Sequence, residues 1–208
     1  MTPVSIDFQI TTLNFLYMNS MLIDEKAVAL FKEEIVQSKS YTHRQRKEAF
    51  LGIRFLRNSL GINKPITYNL NGKPFLEGDK NYISISHSHH FVAFAFSEIP
   101  IGIDLEKADR DTSKIINKFM SEDEKNLYHQ AKGNWPLELW CAKEAVYKLY
   151  DIPGLSFKDG IQIQSREQNQ LTLLEGCLKG AGPNKTFLVK LKEAHGLLFA
   201  VAHFKAEP

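Results

Sequence analysis

The chain has 208 residues, of which 43% are hydrophobic and 24% charged, with a net charge of +2. That length allows one large domain or two small ones with a real core, and the near-neutral balance argues neither for nor against nucleic acid, so any basic site must be local. Two cysteines, Cys141 and Cys177, make no disulfide framework and suit a reducing compartment. The opening MTPVSIDFQI reads as no signal peptide, and no apolar run approaches the ~18 residues of a membrane span. A soluble cytoplasmic protein is expected.

Residues 24–39 are expected to form a helix, with Asp24 as N-cap. Residues 42–61 predict a second, capped by Thr42 and ended by Gly61, with Phe50, Ile53 and Leu60 among its apolar positions. Arg44, Arg46, Lys47, Arg54 and Arg57 lie in this helix. Such a run is ordinarily a solvated face, and it is also able to grip phosphate. NLNGKPF (69–75) is a turn, and residues 81–97 read as two strands meeting near HSHH. His87, His89 and His90 lack a nearby Cys or His to complete a zinc site, which leaves hydrogen-bonding or anion-binding roles.

The stretch PIGIDLEKA (100–108) alternates Ile101, Ile103 and Leu105 with Gly102, Asp104 and Glu106, the period of a strand. Asp104 and Glu106 then share a face, roughly 6–7 Å apart at ~3.3 Å per residue. They are either a wetted strand face or a cation site. The apolar run from Ile99 suggests a central strand, and Gly102 leaves room for something bulky to approach. Helices are expected over 108–119 and from Ser121, whose capping-box partner is Glu124. Residues 134–150 predict the clearest helix of the C-terminal half, with Asn134 as cap and Pro136 in its first turn. Trp140, Glu144 and Lys148 line one of its faces at i, i+4, i+8; Glu144 and Lys148 form at least an ordinary intrahelical pair. Strands are expected over 160–165, 170–175, 186–192 and 197–204. The pattern predicts an α+β protein of two small units, 1–100 and 101–208.

Taken in order, GKPF, ISISHS, IGIDLE, FMSEDE and WCAKEAVYK resemble the 4'-phosphopantetheinyl transferases, in particular the larger two-lobed type that activates peptide and polyketide synthetases. Gly102 to Glu144 supplies the spacing of the family signature, and Lys148 closes it. The resemblance implies two similar α+β lobes related by a pseudo-twofold, each a small antiparallel sheet with helices, with coenzyme A in a cleft between them. It implies transfer of the phosphopantetheine arm of coenzyme A to a serine of an acyl, peptidyl or aryl carrier protein, releasing 3',5'-ADP. Asp104, Glu106 and Glu144 are then the Mg²⁺ ligands, a set that would repel without a cation. Glu144 is the expected general base, directly or through a water, and Lys148 stabilises the leaving group. Coenzyme A contacts are expected from Arg46, Arg54, Lys73, Pro74, Ser86, His87, Lys143 and Lys148. Phe119 and Met120 fall where the family docks its partner. Cys141 stands where Ser or Thr is usual, and Ile152-Pro153 replace a more glycine-rich turn.

A monomer is implied, with no nucleic acid or membrane partner. Two other readings are a non-catalytic protein that binds coenzyme A or a carrier, and a phosphatase of nucleotide 3'-phosphates. No P-loop or dinucleotide fingerprint supports a kinase or dehydrogenase.

Overall fold

The structure, a computed structural model, describes residues 3–8, 12–17, 28–130, 133–168, 171–179 and 185–205. The chain divides into two compact units, residues 1–98 and 99–208. Each combines helices with an antiparallel sheet, so the fold is α+β.

The first unit contains β1 (Val4–Asp7), β2 (Thr12–Tyr17), α1 (Lys32–Ser40), α2 (Arg44–Ser59), β3 (Ile66–Tyr68), β4 (Pro74–Leu76), β5 (Tyr82–Ser88) and β6 (Phe91–Ser97). Its main sheet has the order β1-β2-β6-β5, and β3 and β4 form a separate hairpin. Ala49, Ile53 and Leu56 recur at helical spacing on α2 and pack with Ile83, Val92 and Phe94 of the sheet. His43, not Thr42, is the N-cap of α2, and no side chain caps it. At the other end Gly61 takes the left-handed conformation (φ 71°) that stops the helix, as its sequence position predicts. The first helix is shorter than expected, starting at Lys32; Asp24 lies outside the described residues.

Glu34 of α1 is 2% exposed and ties this unit together. It accepts from Arg57 Nη1 at 2.7 Å, Arg54 Nε at 3.1 Å, and the backbone N–H groups of Phe31 (3.2 Å) and Ile66 (3.3 Å). Burial alone would raise its pKa. The Arg57 hydrogen bond, the Phe31 N–H and the two guanidinium charges outweigh that and hold it below the usual 4.5. A carboxylate with a lowered folded pKa stabilises the fold above its unfolded pKa and loses that contribution as pH falls through the folded value. The melting temperature is therefore expected to drop as pH falls below about 4.5. Glu34→Gln should flatten part of that slope while lowering stability at neutral pH, as pH-dependent melts would read.

The second unit contains β7 (Gly102–Lys107), α3 (Ile116–Phe119), α4 (Glu122–Gln130), α5 (Trp135–Tyr150), β8 (Ile161–Gln168), β9 (Thr172–Leu178), β10 (Thr186–Ala194) and β11 (Leu197–Phe204). Its sheet has the order β7-β11-β10-β9-β8. The expected strands are all present, but β7 is the edge of this sheet, not a central strand. Its apolar run reflects burial on both faces: Ile103 and Leu105 are 0% exposed, and Asp104 and Glu106 only 5%. The helix expected over 108–119 is reduced to one turn. Asp111 accepts from the Ser113 N–H (2.8 Å) and hydroxyl (3.0 Å), a local side-chain turn that competes with helix formation.

α5 forms as its sequence predicts. Asn134 Oδ1 accepts from the Leu137 N–H at 3.4 Å, Pro136 sits in the first turn, and Asp151 closes the helix at φ 55°. It packs along β7 and β11. At Gly102 the helix backbone lies so close that an added Cβ would strike the Ala145 carbonyl and the Leu149 N–H. The bulky group that Gly102 admits is the helix itself. Ala200 and Ala202, paired with Asp104 and Gly102 across the ladder, keep the same surface shallow.

Candidate active site

The polar face of β7 and the Trp140–Glu144–Lys148 face of α5 meet along their length. Trp140 Nε1 donates to Glu106 Oε1 at 3.1 Å, and Lys148 Nζ donates to Asp104 Oδ1 at 2.7 Å. Arg110, from the turn after β7, also donates to Glu106 Oε1. Burial raises the pKa of Glu144 and the neighbouring Asp104 carboxylate raises it further, while Lys148 and Arg110 pull the other way. Three carboxylates thus face two cations, leaving one negative charge in excess. Cys141 lies beneath Asp104, its Sγ 3.7 Å from the Leu198 carbonyl; burial, then the Asp104 charge, push its thiol well above the usual value, so it stays neutral.

The donors Asp104, Glu106 and Glu144 are all carboxylate oxygens, the chemistry a hard dication takes. As the side chains stand, no three His, Cys, Asp or Glu among the described residues are grouped as a metal site. Lys148 and Arg110 hold the carboxylates instead.

Two expected coenzyme A contacts are corrected. Lys143 is 0% exposed, and its ammonium donates to the Phe119 carbonyl (2.7 Å), Glu124 Oε2 (2.9 Å) and the Phe157 carbonyl (2.7 Å). Those three bonds use its three protons, and no phosphate reaches it. Arg54 is 1% exposed, paired with Glu34, with its guanidinium 3.7 Å from the Phe50 ring centroid. It braces the fold from inside. Phe119 and Met120, expected at a docking surface, are 0% and 2% exposed and belong to the core around α5.

The others stand in varied settings. Arg46 is exposed at the start of α2, where His43, Arg44, Gln45, Arg46, Glu48 and His90 line an open hollow of about 650 Å³. Lys73 closes the β3–β4 turn, its N–H donating to Asn69 Oδ1 at 2.9 Å, and Pro74 opens β4. Ser86 and His87 are neighbours on β5 and so point to opposite faces, Ser86 buried and His87 exposed. One phosphate does not meet both side chains from the same side of the strand.

Sequence reasoning missed Arg110. Its one signal was a positive charge four residues after Glu106, but the intervening chain is a turn, with the Arg110 N–H bonded to the Lys107 carbonyl at 3.0 Å. It also missed that Glu124, placed correctly as the capping-box residue, anchors Lys143 and accepts from the Ile163 N–H at 2.9 Å.

Residues 100–201, nearly all of the second unit, match the family model of the 4'-phosphopantetheinyl transferase superfamily. Among curated proteins it is similar to 4'-phosphopantetheinyl transferase gsp of Aneurinibacillus migulanus, 35% identical over 103 residues, which are 46% of this chain and 43% of that protein. It is also similar to 4'-phosphopantetheinyl transferase ffp of Bacillus subtilis, 30% identical over 108 residues, 49% of this chain and 48% of that one. The matched stretch spans less than half the length of either relative.

Proposed function

We propose that the protein transfers the 4'-phosphopantetheine group of coenzyme A to a serine hydroxyl of an acyl, peptidyl or aryl carrier protein. The observation that carries this is the meeting of Asp104 and Glu106 on β7 with Glu144 and Lys148 on α5, inside the segment that matches the superfamily model. Chemically, the serine oxygen forms a bond to the phosphorus that bears the pantetheine arm. The bond from that phosphorus to the bridging pyrophosphate oxygen breaks, and 3',5'-ADP leaves with the electron pair. Glu144 takes the serine proton, directly or through one water. Lys148, 29% exposed at its side chain, presents positive charge to the leaving phosphate.

Asp104, Glu106 and Glu144 would hold Mg²⁺, which when bound supplies charge neutralisation at the pyrophosphate. Arg46, Lys73, Pro74 and His87 keep the coenzyme A contacts that the resemblance implies, with Ser86 turned to a buried face. A monomer in the cytoplasm is the state that the resemblance, two free cysteines and a coenzyme A substrate suit. Among the described residues no helix is long and apolar enough to cross a membrane.

The test is mass spectrometry of several apo carrier proteins after incubation with the full chain, coenzyme A and Mg²⁺. A gain of one phosphopantetheine group on the carrier serine is expected. No gain on any carrier overturns the proposal. Coenzyme A binding without such a gain would mark a binding protein instead.

A further inference from the structure

Arg110 is a cation at this site that the motif quoted above does not contain. Its guanidinium bonds Glu106 Oε1, the oxygen that also accepts from Trp140 Nε1 at 3.1 Å. A carboxylate oxygen has two lone pairs, so two donors fill it. The two donors are held very differently. Trp140 is wedged by rings, with the Phe119 centroid at 5.3 Å and the Phe157 centroid at 5.6 Å. Arg110 is 32% exposed at its side chain, with its guanidinium carbon 5.3 Å from the Trp140 ring centroid. A ligand that takes Glu106 Oε1 meets Arg110 as the more exposed and less confined of its two donors.

We propose that Arg110 is the resident counterion of the carboxylate set, a positioning residue that holds Glu106 without metal and competes with a divalent cation for it. The proposal rests on the reading of Asp104, Glu106 and Glu144 as dication ligands. Two effects oppose the incoming ion: the filled lone pairs of Oε1, and repulsion between a guanidinium and a dication in a poorly solvated setting. The displaced guanidinium remains tethered by a short turn, so positive charge stays beside the site after metal has entered. That charge already bears on Glu144.

The test uses Mn²⁺ as probe, titrated into the full chain without coenzyme A and followed by electron paramagnetic resonance of the free ion. Arg110→Gln is expected to bind Mn²⁺ about tenfold more tightly than the wild type, equivalent to ~1.4 kcal/mol and near the low end for a hydrogen bond to a charged group. Arg110→Lys, which keeps the charge, should stay near the wild type. In a Glu106→Gln background the Arg110→Gln gain should vanish. Wild type that binds Mn²⁺ while Arg110→Gln binds equally or more weakly overturns the proposal and leaves the dication site intact. Binding by neither overturns the dication reading and this proposal with it. If Arg110→Gln does not fold, Arg110→Met keeps the stem over Trp140 and takes its place.

Discussion

Replacing Lys143 with methionine is expected to cost about 3–5 kcal/mol of stability, the range for breaking one partner of a buried ion pair. Lys143 and Glu124 are both 0% exposed and 2.8 Å apart. The lysine draws together the Phe119 carbonyl, the Phe157 carbonyl and the first turn of α4. Burial lowers its pKa, and the Glu124 charge offsets part of that. Removing the ammonium leaves two carbonyls and a carboxylate oxygen short of a donor inside the core. Urea denaturation reads the loss directly. The double variant Lys143→Met, Glu124→Gln should recover part of it, since no ion remains buried. Folded Lys143→Met should bind coenzyme A as the wild type does. Unchanged stability with lost coenzyme A binding would return the residue to the ligand site.

Glu144→Gln is expected to lower kcat by about 10²–10⁴-fold, the usual worth of a positioned general base, while the protein folds normally. The amide keeps shape and removes both charge and basicity. The pH profile carries the second half of this expectation. A base must be unprotonated, and Glu144 has a pKa above the usual 4.5 because of burial and Asp104. A limb of the wild-type profile that rises with pH and levels off should be missing from the residual rate of Glu144→Gln, with its midpoint set by the Mg²⁺-bound state of the site. A variant that retains full kcat would remove Glu144 from the proton path.

What was readable in the chain follows from how local each cause is. The strand over Gly102–Lys107 and the helix over Trp135–Tyr150 are written in period, cap and stop within a few residues. Their meeting was readable only as a motif, because the order of acids and bases along the two elements says nothing of distance. Lys143 and Arg54 show the limit clearly. Each sits in a helix that carries site candidates, and each finds its acid about twenty residues away, Glu124 and Glu34, inside the fold. A charge in a sequence does not declare which way it faces. The edge position of β7 was hidden for a related reason: burial by a helix and burial by neighbouring strands leave the same apolar letters.

The close seat of α5 on Gly102 fixes more than a distance. Glu106 meets Trp140, Asp104 meets Lys148, and Gly102 meets Ala145 and Leu149, so strand and helix run past one another in opposite directions. From Glu106 to Gly102 the strand spans about 13 Å, and from Trp140 to Leu149 the helix spans about 13.5 Å. The two elements are rulers of nearly equal span, read against each other. Substitution between the marks leaves the reading intact. Inserting one residue within the helical ruler rotates its later marks by about 100°, and one within the strand turns its later marks to the opposite face. The length of each motif is therefore under tighter constraint than the identity of the residues between its charged positions.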